Sequence, residues 1–228
     1  MSEPHQSSSH NLLTSVERML APSREIRDVV ESYRRTTPPD VAQLSERLIS
    51  HYSNRSALAG GVSSLPALVP GVGTLTVAFG TTLAEMAVVL KLEVELCLAL
   101  AHAHGFDIDD RRERQLALLL AAVHTHEVES GRNVLLDVGE VTLTAVANYT
   151  PRELQKLLLR ISSAIGINYA TKYLTKGVLK AIPIVGVGVG AGFNKFVTTK
   201  VGRRAREWFA WRCSRITSVD AGSAPQVG

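Results

Sequence analysis

The sequence predicts an all-α fold, a multi-helix bundle of about seven to nine helices. Three observations lead there. Aromatic residues make up only 5% of the chain while hydrophobic residues make up 45%. The core must therefore be built from Leu, Val, Ala and Ile, a mixture that suits helix packing better than a β-sandwich. Apolar positions recur every three or four residues through most of the chain. The breaks between these runs are short and carry Gly, Pro or a capping side chain. At 228 residues there is enough chain for one sizeable core with an appended arm.

Taken in order, residues 1–10 are polar and Ser/His-rich, which predicts a disordered N-terminus without the apolar stretch of a signal peptide. Residues 11–37 read as an N-terminal helical arm. Leu12, Leu13, Val16, Met19 and Leu20 share helical spacing, as do Ile26, Val29, Val30 and Tyr33 after Pro22. The main helical domain is expected over 38–216. Its first helix is predicted to start with Thr37 as cap and Pro38 at the first helical position, and to run to about Ser53. The next elements are a long helix from Thr74 to about His104, stopped by Gly105, and a helix from Asp110 to His126. A short helix is expected over Asp137–Ala147, with Thr142–Val146 also passing for a strand. Thr150-Pro151-Arg152-Glu153 then has the form of a capping box with proline at the first position. The final helix is expected over Phe193–Arg215. Residues 217–228 form a Gly/Ser/Ala/Pro-rich tail that predicts disorder.

Two stretches stand apart from this amphipathic pattern. Ser56 to Ala84 is 29 residues without a charge, and Ala181 to Asn194 is a shorter echo of it. Both place an aliphatic residue before a proline, followed by Val-Gly, and they align without gaps at an offset of 113 residues. Pro70, Gly71, Gly73, Pro183, Gly186, Gly188 and Gly190 are the expected helix-crossing residues, since glycine lets backbones approach closely. A spanning helix needs about 20 apolar residues. Gly71–Ala84 supplies 14 before Glu85, and Ala181–Asn194 supplies 14 before Lys195. These lengths point to two apolar helices packed centrally, or to segments that enter a bilayer without crossing it. Glu85 is expected on a solvated flank; within a bilayer it would be a functional carboxylate. The glycine run lacks the Gly-Lys-Ser/Thr ending and the preceding strand of a phosphate loop.

The C-terminal helix carries the main functional signal. The net charge is only +4, yet Lys195 to Arg215 holds seven basic residues and one acidic one. Val197, Val201, Ala205, Trp208 and Arg212 share one face, with Lys200, Arg203, Arg206 and Glu207 mainly opposite. Lys195, Lys200, Arg203, Arg204 and Arg206 are the expected contacts to anionic headgroups. Trp208 and Trp211 are the expected interfacial anchors. The patch is too local for a nucleic-acid partner, and no nucleic-acid motif accompanies it. The expected partner is an anionic membrane surface or a membrane protein, reached from the cytoplasmic side.

Chemistry is scarce. Cys97 and Cys213 have no zinc-site or disulfide spacing, so free thiols in a reducing compartment are expected. His102, His104, His124 and His126 form two His-x-His pairs, the only candidate metal ligands, with Glu127 or Glu129 able to join them. Residues two apart on a helix point about 200° from each other, so neither pair chelates from one face. No nucleophile–base arrangement is evident, and no cofactor is expected.

The segments LPALVPGVGTL, ELCLALAHAHGFDIDD and IPIVGVGVGAGFNKFVTTKVGRRAREWF together resemble the EcsC family. The matching positions are His104-Gly105-Phe106-Asp107, Ile182-Pro183-Ile184-Val185-Gly186, Asn194, Val201-Gly202 and Ala205. The resemblance covers about Asp40 to Arg212. It implies a bacterial, helical protein in a membrane-linked setting, since the family takes its name from an operon that also encodes an ABC transporter. Its motifs are structural and bring no catalytic residues. Three functions follow as expectations. The first is a non-enzymatic membrane-associated scaffold or accessory protein docking on the cytoplasmic leaflet. The second is a soluble adaptor that binds an apolar ligand or partner helix. The third is a metal-dependent hydrolase using the histidine pairs.

Overall fold

The computed structural model describes residues 16–61, 81–131, 142–161 and 186–222, and every regular element among them is a helix. A turn of helix at 16–19 precedes α1 (Ser23–Arg34). There follow α2 (Val41–Gly61), α3 (Thr81–Ala103), α4 (Arg111–Ser130), the single-turn α5 (Leu143–Val146), α6 (151–161) and α7 (Gly186–Gly222).

Local chemistry sets most of the visible ends. Asp110 caps α4 by accepting from the Arg112 N–H at 2.8 Å. Gly105 and Gly131 close α3 and α4 with φ of 88° and 69°, a conformation that glycine adopts without a Cβ penalty. The capping box at α6 forms as expected. The Glu153 carboxylate accepts from the Thr150 N–H at 2.7 Å and from its hydroxyl at 2.8 Å. Those bonds hold the Glu153 carboxyl below its ordinary range.

Several boundaries differ from expectation. α2 begins at Val41 rather than Pro38, with Asp40 accepting from the Ala42 N–H at 2.8 Å. The Thr37 hydroxyl instead donates to the Tyr33 carbonyl at 2.7 Å, finishing α1. α2 also continues past Ser53 to Gly61, because Ser56 and Ala59 turn inward and keep its buried face going. Within the short helix expected over Asp137–Ala147, Leu143–Val146 is capped helix, with the Thr142 hydroxyl accepting from the Ala145 N–H. The last helix starts at Gly186 and ends at Gly222, so it takes in glycines expected in a separate segment and part of the expected tail. Each interior glycine costs about 1 kcal/mol relative to alanine, which burdens a helix without forbidding it. Pro70, Gly71, Gly73 and Pro183 lie outside the described residues, as do the side chains of Glu85, Glu129, Gly186, Gly188 and Gly190.

α3 is the axis of the bundle. From Ala87 to Ala103 only Leu90 and His102 are not buried. α1, α2, α4 and α7 all pack against it. Side-chain pairings give the directions. Ser56 meets Thr198, and Glu46 meets Arg206, so α2 and α7 are antiparallel. Glu93 meets Thr198 and His104 meets Phe209, so α3 and α7 are parallel. The C-terminal end of α2 and the N-terminal ends of α3 and α7 therefore point the same way. The N-terminal arm joins the same core through Val16, Ile26 and Val30.

Helices approach closely at Gly202. A Cβ there would lie 2.8 Å from Ile49 Cγ1 on α2 and 2.8 Å from Leu96 Cδ2 on α3. Among the described glycines this is the one that the packing demands. Gly192 has open space where its Cβ would be.

Candidate functional site

The site is built on α7, a helix with two chemically different sides. Its inward side is Val197, Thr198, Val201, Gly202, Ala205, Trp208, Phe209 and Arg212, all buried. That pattern is the amphipathic stripe visible in the sequence, and Arg212 belongs to it. The guanidinium donates to both carboxylate oxygens of Glu113, each at 2.5 Å, and lies 4.2 Å from the centre of the Phe106 ring. A buried arginine is tolerated because its charge is matched bidentately and its face rests on an aromatic ring.

Trp208 is placed differently from expectation. It is 6% exposed, packed edge-on to Phe209 at 5.0 Å and beside Trp211 at 6.5 Å. Protein covers the surface that a bilayer was expected to cover. Trp211 is partly buried, with the Arg215 guanidinium 5.4 Å from its ring. The exposed aromatics of α7 are Phe193 at 46% and Phe196 at 53%. Phe193, Phe196, Lys200, Arg203 and Glu207 are all exposed and recur at three- and four-residue steps, which makes them one outward ridge. The Lys200 ammonium lies 5.8 Å from the Phe196 ring centre.

The five expected headgroup contacts divide into two kinds. Arg204 is paired with Glu127 of α4 at 2.5 Å, and Arg206 with Glu46 of α2. These two tie α7 to its neighbours. Lys195, Lys200 and Arg203 are exposed and, among the described residues, form no ion pair. The positive charge that α7 offers to solvent is thus smaller than its composition implies, and it is concentrated in the half nearer Phe193.

Beneath α7 lies a polar centre that the sequence reading missed. Glu93 of α3 is fully buried. Its carboxylate accepts from the Thr125 hydroxyl of α4 and from the Thr198 hydroxyl of α7 at 3.1 Å. Thr198 also stands 2.9 Å from the Ser56 hydroxyl of α2. Three helices thus meet at one carboxylate, and α2 joins them through Thr198. On the other side of α3, the Lys91 ammonium donates to Glu95 at 2.6 Å, and the same Glu95 oxygen accepts from the Ala21 N–H at 2.7 Å. The spacing carried a usable signal. Residues 91 and 93 project about 200° apart, so one solvated flank could not take both charges.

The four candidate metal ligands are not brought together. His102 faces Glu31 of α1 at 3.5 Å, and burial lowers its proton affinity. His104 pairs with the Leu100 carbonyl at 2.8 Å and stacks on Phe209 at 6.0 Å, and burial lowers its proton affinity also. His124 lies 3.3 Å from Glu127, and this hydrogen bond is the main cause holding the Glu127 carboxyl below its ordinary range. His126 is buried farther along the same helix. Among the described residues no three His, Cys, Asp or Glu side chains are grouped to hold a metal ion. Cys97 is fully buried, and burial raises its thiol well above the usual range, which removes it as a nucleophile.

No helix among the described residues is long and apolar enough to cross a membrane. A family model described as the EcsC protein family matches residues 31–213. No curated protein and no solved structure matches the chain. The match covers most of the chain, from the last turn of α1 to Cys213 near the end of the buried face of α7, and the chain belongs to the EcsC family.

Proposed function

We propose that this EcsC-family chain is a non-enzymatic accessory protein that docks peripherally on the cytoplasmic leaflet through the outward side of α7. One observation carries the proposal. Phe193, Phe196, Lys200 and Arg203 share an exposed ridge of a helix whose other side is committed to the core. Exposed aromatic rings beside unpaired cations match the chemistry of an anionic membrane surface. The rings reach the acyl boundary while the ammonium and guanidinium groups meet phosphates. Each cation near such a surface is worth about 1 kcal/mol, screened by salt. The aromatic share moves from Trp208 and Trp211 to Phe193 and Phe196, and the electrostatic share rests mainly on Lys195, Lys200 and Arg203.

Co-sedimentation with liposomes tests this. The protein should pellet with phosphatidylglycerol-containing vesicles at low ionic strength, pellet much less at about 1 M salt, where the screening length falls to about 3 Å, and ignore pure phosphatidylcholine. A protein that stays in the supernatant with anionic vesicles at low salt does not have this function.

A further inference from the structure

We infer that the molecule docks by one end of its bundle, where α2 finishes beside the N-terminal half of α7, and not along the length of α7. This rests on the peripheral membrane reading above and adds a second helix and an orientation to it.

Two observations converge on that end. The first is where the exposed apolar side chains fall. The antiparallel register that joins Ser56 to Thr198 puts Leu58 at the level of Phe196. Among the described residues Leu58, at 64%, is the most exposed large apolar side chain, and Phe193 and Phe196 lie near its level. The other exposed large apolar residues among those described are Val41, Ile216 and Leu159, each on its own. Val41 is at the opposite end of α2, Ile216 toward the opposite end of α7, and Leu159 on α6. Isolated apolar residues are ordinary on a surface, whereas a group rimmed by charge marks a contact.

The second observation is the sign of that rim. Residues 47–61 of α2 and 186–206 of α7 contain seven basic residues, Arg47, Arg55, Lys195, Lys200, Arg203, Arg204 and Arg206, and no acidic one. Arg55, Lys195 and Lys200 are exposed within a few turns of Leu58 and Phe196. Glu46, which neutralises Arg206, sits farther along the bundle, as does Glu207, the first acid on the outward ridge, while Glu127, two residues beyond Thr125 on α4 and so near the level of Thr198, is paired with Arg204. An apolar cluster beside the cations Arg55, Lys195 and Lys200, unpaired among the described residues, complements a surface that is negative outside and apolar beneath. That surface is a leaflet of anionic phospholipid. In this orientation Leu58, Phe193 and Phe196 enter the acyl boundary, and Arg55, Lys195 and Lys200 meet headgroup phosphates. The C-terminal half of α7 stays clear of the membrane.

Vesicles of equal parts phosphatidylglycerol and phosphatidylcholine test the orientation with the full chain. Leu58→Glu and Phe196→Glu should each lower the partition coefficient about tenfold or more, while Ile216→Glu leaves it unchanged. Leu58→Ala should lower it less and in the same direction, which separates loss of insertion from loss of folding. If Leu58→Glu binds as the unaltered protein does while Phe196→Glu and Lys200→Gln do not, the end-on orientation is overturned and docking along α7 stands. If the unaltered protein itself fails to bind, both readings fall. If it fails to bind and instead self-associates through Leu58, losing that association in Leu58→Glu, the surface belongs to a second copy and the inference is overturned.

Discussion

α3 and α7 run parallel through the same bundle, each preceded in sequence by a Gly/Pro apolar segment, yet they place their charges in opposite ways. α3 is enclosed by four helices and keeps Lys91, Glu93 and Glu95 inside, each matched by a partner. α7 is covered on one side only. It buries one matched charge, Arg212, and leaves Lys195, Lys200, Arg203 and Glu207 to solvent. A charge on α3 is therefore part of the fold, while α7 ties Arg204, Arg206 and Arg212 to its neighbours and leaves Lys195, Lys200, Arg203 and Glu207 for other work. Substitutions that look alike on paper should differ sharply by location.

The largest differences are expected where a buried pair is broken. Lys91→Ala on α3 and Arg212→Ala on α7 each leave a carboxylate buried without its cation, at a cost of about 3–5 kcal/mol in chemical denaturation. Lys200→Ala should stay within about 0.5 kcal/mol of the unaltered protein. Equal effects at Arg212 and Lys200 would remove the distinction between the two sides of α7. Trp208→Ala belongs with the large effects, at about 3–5 kcal/mol. Phe196→Ala should barely alter stability while weakening vesicle binding.

Gly202→Ala comes next. Its new Cβ would press on Ile49 and Leu96 at 2.8 Å, and both are buried branched side chains on different helices. A loss of about 1–3 kcal/mol is expected from overpacking. Gly192→Ala, at open space within α7, should be neutral or slightly stabilising, since helix propensity favours alanine by about 1 kcal/mol.

A smaller effect is expected from acid. Burial lowers the proton affinity of His51, His102 and His104. Each imidazole therefore binds more protons in the unfolded chain as pH falls below the ordinary imidazole value. The stability they contribute is fully present above that value and is lost as pH drops through the lowered folded values. Glu127, held below its ordinary range, contributes stability that is lost only at more acidic pH. The melting temperature should fall between pH 7.5 and 5.5, and His102→Gln should reduce that fall. A melting temperature flat across this range would contradict the burial of these rings.

The sequence resolved what depends on neighbours along the chain. The Asp110 cap, the Thr150/Glu153 box, the Gly105 stop and the inward stripe of α7 up to Arg212 were all legible, because each rests on residues within a few positions of one another. What depends on distant partners was not legible. Glu93 meets Thr125 and Thr198, which lie 32 and 105 residues away, and Glu95 accepts from Ala21, 74 residues away. Gly202 was visible as part of a motif, but its role at the helix crossing depends on Ile49 and Leu96 lying against it. Trp208 shows a further limit of periodicity. A two-faced pattern tells which residues share a side but not whether protein or lipid covers them.

The most direct test of the divided helix is a double variant on its outward ridge, Lys200→Glu with Arg203→Glu, assayed for melting temperature and for binding to anionic vesicles. The expected result is a melting temperature close to that of the unaltered protein together with loss of vesicle binding. Binding that survives this reversal of charge, in a protein that melts normally, would contradict the assignment of α7's outer side to the membrane.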